Sequence, residues 1–273
     1  MNELDAATAG QVSSTAAEVY EDFFVPALFD QWPRHVLDAA GLSAGEDVLD
    51  VGCGTGILAR VASRRLEGSG SVTAIDLNDG MLAVARRHAE PVTWEHGAAE
   101  QLPFPDGSFD RVVSQFAVMF FADQRAALTE MCRVTRRGGT ITIATWASID
   151  ESPGYRAMAD LLQRLLGDQA AAALTAPFTL GTPDELRAMA GAILPDLVVT
   201  RHDGLARFDS LETWIHTDVR GWTLADMIND DQYRELLAVA KSELANFVDH
   251  HGRVRFPAPA LIASAPEPGL RRY

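Results

Sequence analysis

The chain has 273 residues, of which 47% are hydrophobic and 22% charged, an ordinary globular composition that excludes wholesale disorder and is tight for two independent domains. Lys plus Arg number 23 against 38 Asp plus Glu, a formal net charge of −15, so a nucleic acid or an acidic membrane surface is repelled by the protein's field. Two cysteines, Cys53 and Cys132, cannot build a disulfide framework and fit a reducing compartment.

The opening MNELDAATAGQVSSTAAEVYEDFF lacks the basic and apolar regions of a signal peptide. The longest apolar run, Phe116 to Ala122, falls far short of the ~20 residues a spanning helix needs. A cytoplasmic protein with no membrane and no nucleic-acid partner is expected.

From Thr15 to Ala40, Val19, Phe23, Phe24, Ala27, Leu28, Val36, Leu37 and Ala40 recur every three or four residues. That spacing predicts two helices, interrupted near Pro26 or Pro33 and stopped at Gly41. The rhythm then changes. Asp47–Val51 reads as a strand entering a glycine-rich turn, Ile57–Leu66 as a helix, Ser71–Ile75 as a second strand, and Asn78–His88 as a helix with Asn78 at its N-cap. Val92–Glu95 is a third strand, and the turn formers of LPFPDGS lead into Phe109–Ser114 as a fourth. A helix over Asp123–Val134, a turn at Gly138-Gly139 and a β-branched strand over Thr140–Trp146 follow. Strand and helix alternate as in βαβ units, which predicts a parallel sheet with helices on both faces.

Beyond Trp146, Tyr155–Leu166, Pro183–Ala192 and Asp231–His250 read as helices. Leu197–Phe208 alternates like one strand, and Arg253–Ala265 is a proline-punctuated strand suited to an edge.

The segment VLDVGCGTG, Val48 to Gly56, ends an apolar strand at Asp50 and places Gly52, Gly54 and Gly56 before a helix. Glycines there let a ligand approach the backbone, beside unpaired helix N–H groups. The spacing G-x-G-x-G is neither the dinucleotide G-x-G-x-x-G nor a P-loop. Asp76 ends the second strand 26 residues after Asp50, so both carboxylates stand on the rim where open α/β sheets bind ligands. Two acids repel a pyrophosphate. They suit a nucleoside with a cationic amino-acid tail, Asp76 accepting ribose hydroxyls and Asp50 holding an ammonium.

With these residues the sequence resembles the class I S-adenosylmethionine-dependent methyltransferases, most closely the ubiquinone/menaquinone-type (methyltransferase type 11) small-molecule branch. The likeness covers about residues 40–147: VLDVGCGTG, VTAIDLNDGML, GAAEQLPFPDGSFDRVVSQF and EMCRVTRRGGTITIATW, in that order. It implies a Rossmann-like doubly wound α/β sheet, mostly parallel with an antiparallel late strand, plus N-terminal helices and a C-terminal helical insertion. It also implies S-adenosyl-L-methionine as cofactor and S-adenosyl-L-homocysteine as product. Asp50, Gly52, Cys53, Gly54, Thr55 and Gly56 are implied around the methionine half, Asp76 at the ribose, and Leu77 and Met81 about the adenine. Ala98, Ala99 and Glu100 form the loop at the adenine edge, with Ala98 where many relatives carry Asp, and Ser114, Gln115 and Phe116 border the methyl group.

Three regions follow: N-terminal lid helices (1–40), the cofactor-binding core (41–150), and substrate-capping helices with the last strands of the core sheet (151–273). Tyr20 and Trp32 are expected over the cofactor and Phe24 at the substrate, against the alternative that an aromatic stripe at helical spacing is core. None of the seven histidines has metal-ligand spacing, and no metal is expected. WIHTDVRGW, Trp214 to Trp222, nominates His216, Arg220 and Trp222 for an acceptor pocket, with His216 the one base candidate.

Displacement at a methyl sulfonium needs proximity, alignment and exclusion of water more than a dedicated base. Phe116, Phe120 and Trp146 offer π faces to the cation. The expected function is methyl transfer to a small apolar or aromatic acceptor; the sequence leaves the oligomeric state open, a homodimer included. The rival is a protein that binds the cofactor without methylating.

Overall fold

The computed structural model describes residues 14–221, 224 and 227–268. In chain order, α1 (Ser14–Val19) runs into a π-helical segment, Tyr20–Phe29, followed by α2 (Pro33–Ala39). Then come β1 (Asp47–Val51), α3 (Ile57–Leu66), β2 (Ser71–Asp76), α4 (Asp79–Ala85), β3 (Thr93–His96), β4 (Phe109–Gln115), α5 (Gln124–Val134) and β5 (Thr135–Trp146). The second half holds α6 (Pro153–Leu166), α7 (Asp168–Thr175), α8 (Pro183–Ala190), β6 (Val198–His202), β7 (Leu205–Phe208), α9 (Leu211–Arg220), α10 (Asp230–Glu243), β8 (Val254–Pro257) and β9 (Ala260–Pro266).

Seven strands form one sheet in the order β3-β2-β1-β4-β5-β9-β6, and β7 and β8 form a separate antiparallel ribbon. The first five strands are mutually parallel, while β9 is antiparallel to both its neighbours. This is the Rossmann-like doubly wound sheet with a late antiparallel strand. The chain order reverses between β1 and β4, so their C-terminal ends open the crevice where such sheets hold ligands. Helix starts follow local chemistry. Asn78 accepts the Met81 N–H at 3.0 Å, and Asp123 accepts those of Arg125 and Ala126 at 3.0 and 2.9 Å, as N-caps do.

Several boundaries differ from the sequence expectation. The N-terminal helix does not break at Pro26, because residues 20–29 widen to i→i+5 bonding, with Asp30 N–H donating to Val25 at 2.9 Å. A wider turn relieves the crowding that a proline ring imposes on an α-helix. The break comes before Pro33, at the first turn of α2, where a missing N–H is harmless. Gly138-Gly139 lies inside β5 as an irregularity, the register against β4 jumping between Phe109 and Arg111.

The expected strand 197–208 is two strands split at Gly204, where an added Cβ would sit 2.2 Å from the Trp32 ring. The expected edge strand 253–265 is also two. Its second part, β9, lies between β5 and β6, with Pro257 and Pro259 before it and Pro266 at its end, so no interior ladder donor is lost. Helix α10 ends at Glu243 and is followed by a short 3₁₀ turn, Ala245–Phe247. Among the described residues no helix is long and apolar enough to cross a membrane.

Candidate active site

The glycine turn is stitched to the neighbouring strand. Gly52 and Cys53 N–H groups both donate to Ile75 O, at 2.9 and 3.1 Å, and Gly54 N–H donates to Asp76 Oδ2 at 2.7 Å. Gly52 has φ +70°, and a Cβ there would lie 2.5 Å from that of Ala117 and 3.2 Å from the Phe121 ring. Only glycine meets both demands. Gly56 has φ +87° and, with a Cβ, would drive into Trp94 at 2.2 Å. It serves that packing and does not line the cavity in front of the turn.

That cavity, about 270 Å³, is walled by the ends of β1, β2 and β4. Asp50, Thr55 and Gln115 each line it while presenting buried side-chain oxygens that complete no hydrogen bond. Asp50 is 1% exposed, and burial pushes its carboxyl up to about 8, against the pull of the Ala59 N–H and with the Asp76 charge adding to the rise. Buried polar groups normally find partners, so this cluster is shaped for a ligand. Asp76 also accepts the Asn78 N–H at 2.8 Å, and burial raises its pKa in spite of these bonds.

Leu77, 46% exposed, and buried Met81 line the cavity with Ala98, Ala99 and Glu100. Glu100 also accepts the Asp123 N–H at 3.2 Å. The Cys53 thiol is held protonated by burial and by the Asp76 and Asp50 carboxylates. It is no nucleophile.

A second cavity, about 60 Å³, shares Tyr20, Phe116 and Phe120 as walls with the first. Phe24, Phe29, Trp146 and Phe178 line it further, as do Tyr155 and Asp218. Phe116 has φ +56°, a rare setting for a bulky residue. That backbone carries its ring onto Trp146, stacked at 4.0 Å and 15°. The Tyr20–Phe29 segment covers both cavities and is pinned by buried Arg60, which donates to Thr55 O at 2.5 Å and to Glu21 Oε1 at 2.8 Å. His88 Nε2 lies 3.1 Å from the same Glu21 oxygen.

Of the nominated cofactor residues, Tyr20, Asp50, Gly52, Cys53, Gly54, Thr55, Asp76, Leu77, Met81, Ala98, Ala99, Glu100, Gln115 and Phe116 border the first cavity. Gly56, Ser114 and Trp32 do not. Ser114 is fully buried within the sheet. Trp32 corrects the lid expectation: its indole is fully buried against Gly204, with Phe116 and Trp146 5.8 and 6.0 Å away, and lines neither cavity.

Phe24, Phe120 and Trp146 line the second cavity, but His216 and Arg220 do not. The His216 ring packs edge-on to Phe23 at 5.6 Å, outside both cavities, so it is not placed as a base. Arg220 closes the end of α9, bonding to Ile228 O at 3.3 Å and Asp230 at 2.6 Å and lying over the Tyr233 ring. Trp222 lies outside the described residues. Within the same motif, Trp214 and Asp218 are one turn apart on the buried face. That i, i+4 pairing was the available signal for Asp218. Tyr155 carried none beyond being an aromatic in an amphipathic helix.

Residues 49–143 match the family model described as a methyltransferase domain. The ubiquinone/menaquinone biosynthesis C-methyltransferase UbiE of Hahella chejuensis is 34% identical over 52% of this chain and 61% of its own length. A malonyl-[acyl-carrier protein] O-methyltransferase of Serratia marcescens is 43% identical over 38% of this chain and 40% of its own. This chain thus spans 61% and 40% of the lengths of these two curated relatives. Among solved structures, phosphoethanolamine N-methyltransferase 2 of Haemonchus contortus, in complex with S-adenosyl-L-methionine, shares the fold. Its TM-score is 0.59 at 19% identity, covering 93% of this chain and 57% of that one. Over residues 49–143 this chain is thus similar to methyltransferase domains, and its fold is that of solved methyltransferases.

Proposed function

We propose that the chain transfers a methyl group from S-adenosylmethionine to a small apolar, aromatic acceptor seated in the second cavity. The observation that carries the reading is the cluster of buried, unpartnered oxygens of Asp50, Thr55 and Gln115 at the glycine turn. An ammonium on the ligand complements Asp50, and a carboxylate beside it complements the opening N–H groups of α3, where Ile57 and Leu58 line the cavity. Asp76 holds ribose hydroxyls, Leu77 and Met81 flank the adenine, and Ala98 to Glu100 close over its edge.

When bound, S-adenosylmethionine supplies a methyl group already activated by its positively charged sulfur. The chain's residues then have three tasks. They align the acceptor, exclude water, and face the cation with π surfaces in place of charge. Phe116, stacked on Trp146, borders both cavities and fits the last task. The Tyr20–Phe29 segment, α6, α7 and the end of α9 wall the acceptor, which favours a planar apolar molecule over a sugar. The relatives' names include both carbon and oxygen methylation, so the aromatic lining, more than the likeness, supports the acceptor class.

The test is transfer of radiolabel from methyl-labelled S-adenosylmethionine to a panel of hydroxynaphthalenes, aliphatic amines and sugars. Label in the hydroxynaphthalenes is expected. Label confined to sugars contradicts the acceptor class, and cofactor binding without any transfer contradicts the methyltransferase reading.

A further inference from the structure

We propose that Asp218, set beside Tyr155 in the second cavity, receives the hydroxyl proton of a hydroxyl-bearing aromatic acceptor. The proposal rests on the reading of this cavity as the acceptor site of a methyltransferase. It adds the polar group that recognises and activates the acceptor.

Among the described residues, the side chains lining this cavity are apolar except for Tyr20, Tyr155 and Asp218, and Asp218 carries the one carboxylate. Asp218 is 3% exposed and its Oδ2 completes no hydrogen bond; Tyr155 is 5% exposed with its hydroxyl likewise unsatisfied. Two adjacent buried polar groups left open at the wall of an apolar cavity mark a site for a ligand's polar end. The cation nearest along the helix, Arg220, is turned away onto Asp230, so nothing on α9 neutralises the carboxylate. The groups that face Asp218 are Tyr155 from α6 and Trp214 on its own helix, with Tyr20 on the shared wall.

The rings of Phe116, Trp146 and Phe178 give the acceptor an aromatic bed, while Asp218 and Tyr155 stand at its wall. In the step itself, the acceptor's O–H bond breaks and its electron pair stays on the acceptor oxygen. The proton passes to Asp218, whose carboxylate becomes a neutral acid as the acceptor becomes an oxyanion. Tyr155, facing the same carboxylate from α6, orients Asp218. Burial pushes the Asp218 carboxyl up to about 8, which makes its ionised form a stronger base than an ordinary carboxylate and better matched to a phenol near ~10.

The test is calorimetry on the protein saturated with S-adenosylhomocysteine, titrated with 1-naphthol, its methyl ether 1-methoxynaphthalene, and 1-naphthylmethylamine. Wild type is expected to bind the naphthol about tenfold tighter than the ether, the size of a hydrogen bond to a charged group. Asp218→Asn should erase most of that preference and leave the affinities for the ether and for S-adenosylhomocysteine unchanged. Tyr155→Phe should reduce the preference in part, and it keeps the test open if Asp218→Asn does not fold. As a second readout, turnover of the naphthol should rise with pH through about 8 in wild type and lose that rise in Asp218→Asn. Equal wild-type affinity for naphthol and ether, a preference that survives Asp218→Asn, or tightest binding of the amine would overturn the proposal. Failure of all three probes to bind wild type would remove the acceptor cavity as well.

Discussion

The Asp76 carboxylate accepts the Gly54 N–H at 2.7 Å, tying the end of β2 to the turn that ends β1. The two acids of the rim therefore differ in kind. Asp76 is anchored by backbone donors and holds the turn's shape, whereas Asp50, 1% exposed, has two oxygens that complete no bond.

This difference gives Asp50 a testable cost. Its folded pKa of about 8 lies above the ordinary 3.8, so between those values the folded state keeps a proton that the unfolded state has lost. Stability attributable to this group falls as pH rises through that window. Asp50→Asn should therefore stabilise the free protein, and by more at pH 8 than at pH 5, read by thermal unfolding. The same variant should weaken S-adenosylhomocysteine binding, because a neutral amide replaces the ammonium's partner. Wild-type affinity should also rise from pH 6 toward 8, a dependence the variant should lack.

Three glycines with positive φ should respond differently to alanine. At Gly52 the added carbon meets Ala117 at 2.5 Å, while at Gly54 it meets nothing within 4 Å. Gly54→Ala should cost about 1 kcal/mol for the left-handed backbone alone, and Gly52→Ala clearly more, since the overlap must also be relieved. Gly56→Ala should be partly rescued by trimming Trp94 to Leu, which removes the atoms 2.2 Å away. Chemical denaturation of the four variants tests the order.

Glu21→Gln removes the anionic partner of Arg60, whose side chain is 6% exposed. Losing a charged hydrogen bond at that depth should cost about 2 kcal/mol. Because the pair pins the Tyr20–Phe29 segment to α3, limited proteolysis should cut the N-terminal region sooner in this variant.

Phe116→Leu keeps most of the side-chain volume and removes the π face that stacks on Trp146 at 4.0 Å. Turnover should fall by about tenfold, an amount in the range of one cation–π contact. S-adenosylhomocysteine, which has no positive sulfur, should bind as well as to wild type. Equal loss in both measurements would contradict a role confined to the reacting cation.

The core was legible because its signals are local. The β-branched strands, the Asn78 and Asp123 caps and the glycine turn each sit within a few residues of what they determine, and fourteen nominated cofactor residues border one cavity. Trp32 and Gly204 show why the rest was not. The indole fills the space left by a glycine 172 positions away, and no periodicity encodes such a contact. Helix α9 shows the same limit on a smaller scale. Its composition pointed to a pocket, but choosing between His216 with Arg220 and Trp214 with Asp218 requires knowing which face turns inward. The two sets alternate along a helix whose inward face meets Tyr155 of α6 and the Tyr20–Phe29 segment, both distant in sequence.

The most direct test of the central claim, that the glycine turn and its two acids form an S-adenosylmethionine site, is calorimetric titration with S-adenosylhomocysteine. It is run on wild type and Asp76→Ala, both stripped of carried-over ligand and shown to be folded. One-to-one binding by wild type, weakened at least about tenfold by loss of the Gly54 and Asn78 anchors, is the predicted result. Absence of binding to folded wild type, or equal affinity in the two proteins, would contradict the account.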